Sequence, residues 1–224
     1  VQIGVFDSGI GGEAVAARLR ELLPQAQVIT AHDHGNVPYG SRSEDEVYRL
    51  TKRAIQPLLQ SHCEAIVLAC NTATAAAIDR LRSDYPSTAF VGLEPMVKPA
   101  STMSESKTIV VCATPATLRS QRYQRLKTDW ASEITVLEPD CSVWATTIES
   151  GRPDEVDLEP VVSAVEQQAA DVVVLACTHY HWIKAQVELA VGPQVRVLEP
   201  SDAIAAQIRR ITEAARSTSA ASRP

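Results

Sequence analysis

Two aliphatic runs in this chain each end in a cysteine: AIVLACNTAT, from Ala65 to Thr74, and VVVLACTHYH, from Val172 to His181. Hydrogen-bonding residues follow each thiol at once, Asn71 and Thr72 after Cys70, Thr178 and His179 after Cys177. A run of β-branched and aliphatic residues reads as a buried strand, so both cysteines stand at strand ends where the next helix begins. There the helix dipole and free backbone N–H groups stabilise a thiolate. The same N–H groups, with the side chains of Asn71, Thr72 and Thr178, suit a small carboxylate. A single cysteine in such a place is more often core than chemistry. Two of them, with Asp7 at another strand end and His179 two residues past the second thiol, point to paired acid–base groups.

The other strand ends supply further candidates, because open α/β sheets bind ligands at the carboxyl ends of their strands. FDSGIGG offers Asp7, Ser8 and Gly9, although alone it reads as a glycine turn with Asp7 capping a helix. The next strand ends in Asp33 and His34, leading to Pro38, Tyr39 and Gly40. Cys70, Cys177, His179 and His181 could instead ligate zinc. The run lacks a paired CxxC and a clear supporting shell, so no metal is expected. His181 reads as a surface or capping residue, and His32 and His62 as ordinary structural or exposed positions. Cys63, Cys112 and Cys141 read as inert core thiols.

The elements that must hold these residues alternate. VQIGVF, QVITAH, AIVLAC and AFVGLEP read as strands, separated by helices GGEAVAARLRELLP, SEDEVYRLTKRAIQPLLQSH and TATAAAIDRLRSDY; Ser43 and Glu46 have capping-box spacing. The pattern pauses from Met96 to Lys107. It resumes with strands TIVVCA, ITVLEP, VVVLAC and VRVLEP, interleaved with helices TLRSQRYQRLKTDW, EVDLEPVVSAVEQQA and HWIKAQVELAV and followed by SDAIAAQIRRITEAARS. This predicts an α/β fold of two similar parallel-sheet domains of about 100 residues facing each other across a central cleft. The first spans 1–95, with 199–216 packing back on it; the second spans 96–198; 217–224, a low-complexity stretch, reads as a disordered tail.

Composition narrows the function classes. With 45% hydrophobic residues in 224, the chain can bury a sizeable core. A net charge of −6 with scattered Lys and Arg argues against a nucleic-acid footprint. No run approaches the roughly 20 apolar residues of a membrane span, and the chain opens on a strand rather than a leader. Five cysteines at irregular spacing read as free thiols, so a cytoplasmic location is expected.

Five segments in order, DSGIGG, VPYG, LACNTA, EPMVKPA and LACTHY, resemble the signature segments of the glutamate racemases in the cofactor-independent aspartate/glutamate racemase superfamily. The resemblance runs from Ile3 to about Ile211. It implies that Cys70 and Cys177 are the two acid–base cysteines, supported by Asp7 and His179 respectively. It implies substrate contacts from Asp7, Ser8, Pro38, Tyr39, Gly40, Asn71, Thr72, Thr178 and His179, with Glu149 and Thr117 also near the site. Also implied are racemisation of glutamate without a cofactor, supply of D-glutamate to peptidoglycan, and a homodimer. Two segments depart from the family pattern: His34, Gly35 and Asn36 replace a threonine followed by small and basic residues, and HWIK replaces a proline and leucines, placing Trp182 near the cleft. Alternatives are a racemase for aspartate or another small acid, and a non-catalytic relative that binds an acidic amino acid.

Overall fold

A computed structural model describes residues 1–221, the last seven by their backbone alone. The first half alternates β1 (Gln2–Asp7), α1 (Gly11–Leu22), β2 (Gln27–His32), α2 (Glu44–Ala54), α3 (Gln56–Gln60), β3 (Ala65–Leu68), α4 (Asn71–Asp84) and β4 (Ala89–Gly92). The second contains α5 (Val97–Met103), β5 (Thr108–Cys112), α6 (Pro115–Arg119), α7 (Gln121–Trp130), β6 (Thr135–Leu137), α8 (Trp144–Glu149), α9 (Glu159–Gln168), β7 (Val172–Leu175), α10 (Lys184–Val191) and β8 (Arg196–Leu198). A last helix, α11 (Ser201–Ala221), follows.

Each half builds one four-stranded parallel sheet, ordered β2-β1-β3-β4 in the first and β6-β5-β7-β8 in the second. The shared order makes β3 and β7 equivalent, so the expected two-sheet α/β fold with paired strand ends is the one observed. The inner strands β1, β3, β5 and β7 are almost wholly buried because helices cover both faces, which is why they read as unbroken apolar runs. Ile204, Ala205 and Ile208 of α11 join Ile3, Val15, Leu19 and Val67 in one core, so the last helix packs on the first sheet.

Several elements differ from the sequence reading. The helix expected over 43–62 breaks at Ile55 and restarts with Pro57 in its first turn, where the missing N–H does no harm. Ser43 does cap α2, accepting from the Glu46 N–H at 3.3 Å. The pause after Met96 holds α5, whose Val97 and Ala100 are buried; Pro99 sits near its start and does not break it. α8 also lay unrecognised, in a stretch without a cap or a long apolar period. Pro160 similarly fixes the start of α9 at Glu159 rather than Glu155. The helix expected from His181 begins only at Lys184, because Thr178–Ile183 form a 3-10 turn. That tight turn buries Tyr180 and Ile183 and leaves Trp182 at 49% exposure. α11 continues through 217–221 of the stretch read as a tail; residues 222–224 lie outside the described residues.

Candidate active site

The carboxyl ends of β1, β3 and β7 meet where the two halves touch. Asp7, the last residue of β1, is fully buried. Its carboxylate accepts from the Gly9 N–H at 3.0 Å and, across the cleft, from the Thr178 hydroxyl at 3.1 Å. Burial raises its pKa, against the pull of nearby His179 and the Gly9 N–H. This approach needs small residues: a Cβ on Gly11 would lie 2.5 Å from Thr178 Oγ1, and one on Gly12 would lie 2.4 Å from Asp7 Cβ. The glycines of FDSGIGG thus let α1 abut the second half, a more specific use than a generic turn.

Cys70 caps α4, its sulfur accepting from the Ala73 N–H at 3.4 Å and from the Ser8 hydroxyl at 3.4 Å. Asn71 reaches across the cleft, its Nδ2 donating to the Ala176 carbonyl at 2.9 Å. Its Oδ1 is buried with no hydrogen-bond partner among the described residues, an acceptor available to a ligand. Cys177 has extended backbone and no capping hydrogen bond, and it leads into the 3-10 turn instead of an α-helix. Its sulfur lies 3.8 Å from His179 Nδ1, and His179 Nε2 lies 2.5 Å from Glu149 Oε2. With Nε2–H donated to the carboxylate, Nδ1 remains as acceptor for the Cys177 S–H. The Ile10 N–H also donates to Glu149 at 3.1 Å, and His34 Nδ1 lies 3.7 Å from its other oxygen. Burial would raise the Glu149 pKa, but hydrogen bonds from His179 and Ile10 hold it below the ordinary value.

The sequence setting favours acidic thiols; the fold does the opposite. Burial, then the Asp7 charge, pushes Cys70 up to about 11. Burial pushes Cys177 higher still, and the negative charges of Cys70 and Asp7 add to it. Desolvation outweighs a helix N-terminus because a buried thiolate loses its hydration from every side.

Asp7, Ser8, Cys70, Asn71, Glu149, Cys177, Thr178 and His179 are therefore linked through direct contacts around one cleft. The remaining candidates stand further out. Tyr39 is buried against Phe6 and donates to Asp33 at 2.7 Å. Thr117 is buried, its hydroxyl 3.1 Å from that of Thr114 at the start of α6. Gly40 and Thr72, facing Ala116, Arg119 and Ser120, line a cavity of about 210 Å³ that neither cysteine lines. Pro38 precedes Tyr39 in the same loop.

Two histidines have supporting places that their sequence setting did not suggest. His32, read as ordinary, holds the Gly9 carbonyl through Nδ1 at 3.1 Å and Glu13 through Nε2 at 2.7 Å, bracing the turn after Asp7. His32 is the last residue of β2, a strand end like that of Asp7, which was the available signal; the candidate Asp33 beside it anchors Tyr39. His181, read as a surface or capping residue, has a side chain only 7% exposed, 3.4 Å from Glu199, because the turn folds it back toward β8. Among the described residues no group of three or more His, Cys, Asp or Glu is arranged to hold a metal, and no helix is long and apolar enough to cross a membrane.

The family model described as Asp/Glu/Hydantoin racemase matches residues 12–208. The glutamate racemase of Herpetosiphon aurantiacus is 39% identical over 217 residues, covering 95% of this chain and 85% of that protein. That of Pseudomonas aeruginosa is 35% identical over 216 residues, covering 95% and 82%. The crystal structure of Escherichia coli glutamate racemase, in complex with L-glutamate and the activator UDP-MurNAc-Ala, superposes with a TM-score of 0.81 at 26% identity, covering 95% of this chain and 82% of that one. Picrophilus torridus aspartate racemase, at 16% identity and a TM-score of 0.62 over 94% of each chain, shares the fold.

Proposed function

The chain belongs to the Asp/Glu/hydantoin racemase family, among the glutamate racemases, and is an isomerase; from that premise we propose that it interconverts L- and D-glutamate without a cofactor, by proton transfer at Cys70 and Cys177. One observation carries the reading: two buried thiols end equivalent strands of two like sheets, each with acid–base neighbours of its own.

Inverting an α-carbon requires a base on one face and an acid on the other. One cysteine, as thiolate, takes the α-proton while the other, as thiol, delivers a proton to the opposite face; in the reverse direction the roles exchange. The α-proton of an amino acid is a weak acid, and a thiolate made scarce by burial is by the same measure a stronger base. Charge developing at the α-carbon spreads onto the substrate carboxylate. Backbone N–H groups at the start of α4 and of the turn after Cys177, with the hydroxyls of Thr72 and Thr117, stabilise that charge, while the Thr178 hydroxyl stays donated to Asp7. The free Asn71 Oδ1 accepts from the substrate ammonium. Ser8 and Asp7 serve Cys70; His179, held by Glu149, serves Cys177; Pro38, Tyr39 and Gly40 close the substrate's side of the loop. A cytoplasmic homodimer supplying D-glutamate to peptidoglycan accompanies this reading on the strength of the family resemblance.

The test is incubation of purified protein with each enantiomer of glutamate, aspartate and other small acidic amino acids in D₂O under reducing conditions, following deuterium at the α-carbon. Exchange with glutamate alone supports the assignment. Exchange with aspartate instead moves the substrate, and exchange with none leaves an acidic-amino-acid binder.

A further inference from the structure

We propose that His34 is the outer member of a proton relay, running from Cys177 through His179 and Glu149 to solvent, that resets the second thiol between turnovers. The proposal rests on the two-thiol reading above and extends it to a step that reading leaves open. A proton removed from one face and delivered at the other leaves the two cysteines with exchanged protonation. Another turnover in the same direction requires each to be restored, yet Cys70 and Cys177 are only 7% and 8% exposed.

The carboxylate and the hydroxyl beside Cys70 are both buried, Asp7 fully and Ser8 at 6% exposure. The neighbours of Cys177 form a graded path: the side chains of His179, Glu149 and His34 are 8%, 22% and 55% exposed. Successive contacts are 3.8 Å from Cys177 to His179, 2.5 Å from His179 to Glu149 Oε2 and 3.7 Å from Glu149 Oε1 to His34 Nδ1. A shift of about half an ångström of the half-exposed His34 ring within its stack on His32 brings this last contact into hydrogen-bond range. The two imidazoles each receive on one ring nitrogen and release from the other, and the Glu149 carboxyl carries the proton between them. Neighbouring groups hold the path in place. The Ile10 N–H fixes Glu149 Oε2 at 3.1 Å, and the His34 ring stacks on His32 at 5.2 Å, itself pinned by Gly9 and Glu13.

In one passage the Cys177 S–H proton moves to His179 Nδ1 as the Nε2 proton moves to Glu149 Oε2. The neutral Glu149 carboxyl turns about its Cγ–Cδ bond to bring that proton to His34 Nδ1, and His34 Nε2–H is released to water. The electron pair stays on sulfur, the net change being a thiolate and a solvated proton; the reverse passage restores the thiol. His34 acts through Glu149 and is thus a positioning residue of the site, not one that touches substrate. It is also one of the residues by which this chain departs from its family's pattern.

The test compares wild type with His34→Gln and His34→Ala, using whichever acidic amino acid the wild type racemises. Net conversion from one enantiomer is measured alongside isotopic interconversion at equilibrium, where the reverse reaction restores the thiols without a relay. We expect net turnover of the variants to fall about tenfold, with KM within about twofold, and the loss to exceed that in equilibrium interconversion. Added imidazole restores their net rate, sodium chloride at equal ionic strength does not, and the wild type responds to neither. Wild-type net turnover in the variants without added imidazole, or an equal loss in both assays that imidazole does not repair, overturns the relay. The wild-type rate with each substrate reads the glutamate assignment, and the variant-to-wild-type ratio reads the relay, so the two ideas fail separately.

Discussion

The ends of β3 and β7 are the same device in sequence and different devices in space. At Cys70 a 14-residue α-helix starts, and the sulfur is its cap, held by one backbone N–H and one hydroxyl. At Cys177 the chain tightens into a 3-10 turn, no cap forms, and an imidazole backed by a carboxylate approaches the sulfur instead. The difference teaches that LAC specifies only the scaffold. Whether a thiol is served by a helix or by a side-chain pair is decided by the next six residues and by what the opposite half presses against them.

The sharpest way to break the comparison is to remove either thiol. Under the proposed mechanism Cys70→Ser and Cys177→Ser each cut racemisation by more than about 10³-fold, with unchanged far-UV circular dichroism. One such variant working at the wild-type rate would make the thiols unequal in kind and end the two-base account.

Replacing the supports separates the two ends. Glu149→Gln keeps the shape but removes the charge behind His179, lowering turnover by about 10²-fold; Ser8→Ala, losing one hydroxyl on Cys70, costs about tenfold. With α-deuterated substrates, the isotope effect should grow for one enantiomer in Glu149→Gln and for the other in Ser8→Ala, because each damaged support slows proton removal by its own cysteine. Growth for the same enantiomer in both variants would merge the two ends.

The pH profile sharpens the electrostatics. Both thiols are pushed up, Cys70 to about 11 and Cys177 beyond it. The working form needs one thiolate and one thiol. Its population therefore rises about tenfold per pH unit below the Cys70 value, and kcat/KM should climb with that slope from about pH 7 to 9. A flat profile would mean that the helix N-terminus prevails over burial at Cys70.

The smallest effect lies at the far end of the second sheet. Asp171, just before β7, accepts from Ser104, Ser106 and the Glu105 N–H; burial opposes its ionisation, but these bonds lower it to about 2. A depressed carboxylate pKa stabilises the fold above the unfolded value of 3.8 and loses that contribution as pH falls through about 2. Asp171→Asn should thus cost about 1 kcal/mol near neutral pH after solvent screening, or about 2–4 °C in Tm. The gap to wild type should close between about pH 5 and 2; a gap that persists there would trace the loss to packing.

The strands were legible in the sequence because parallel strands buried on both faces leave an unbroken apolar signal, and the matched strand ends followed from them. α5 and α8 were not, since a proline near one helix start and the shortness of the other hide a period that tertiary packing supplies. At the site, Cys70, Cys177, Asp7 and His179 stood out by type and position. The raised thiols did not, because burial of Cys70 and Cys177 depends on the half that folds over them. Glu149 lies thirty residues from the histidine it holds; only the family resemblance pointed to it, and nothing local tied His34 to the same carboxylate.

The most direct measurement of the central claim is where solvent hydrogen goes in the first turnovers. Purified protein is given L-glutamate in D₂O, and both enantiomers are recovered long before equilibrium. The account requires the D-glutamate formed to carry deuterium at its α-carbon while the remaining L-glutamate keeps its original hydrogen, since separate cysteines remove and deliver the proton. Deuterium entering the recovered L-glutamate as fast as D-glutamate appears would mean one base working on both faces, and would contradict it.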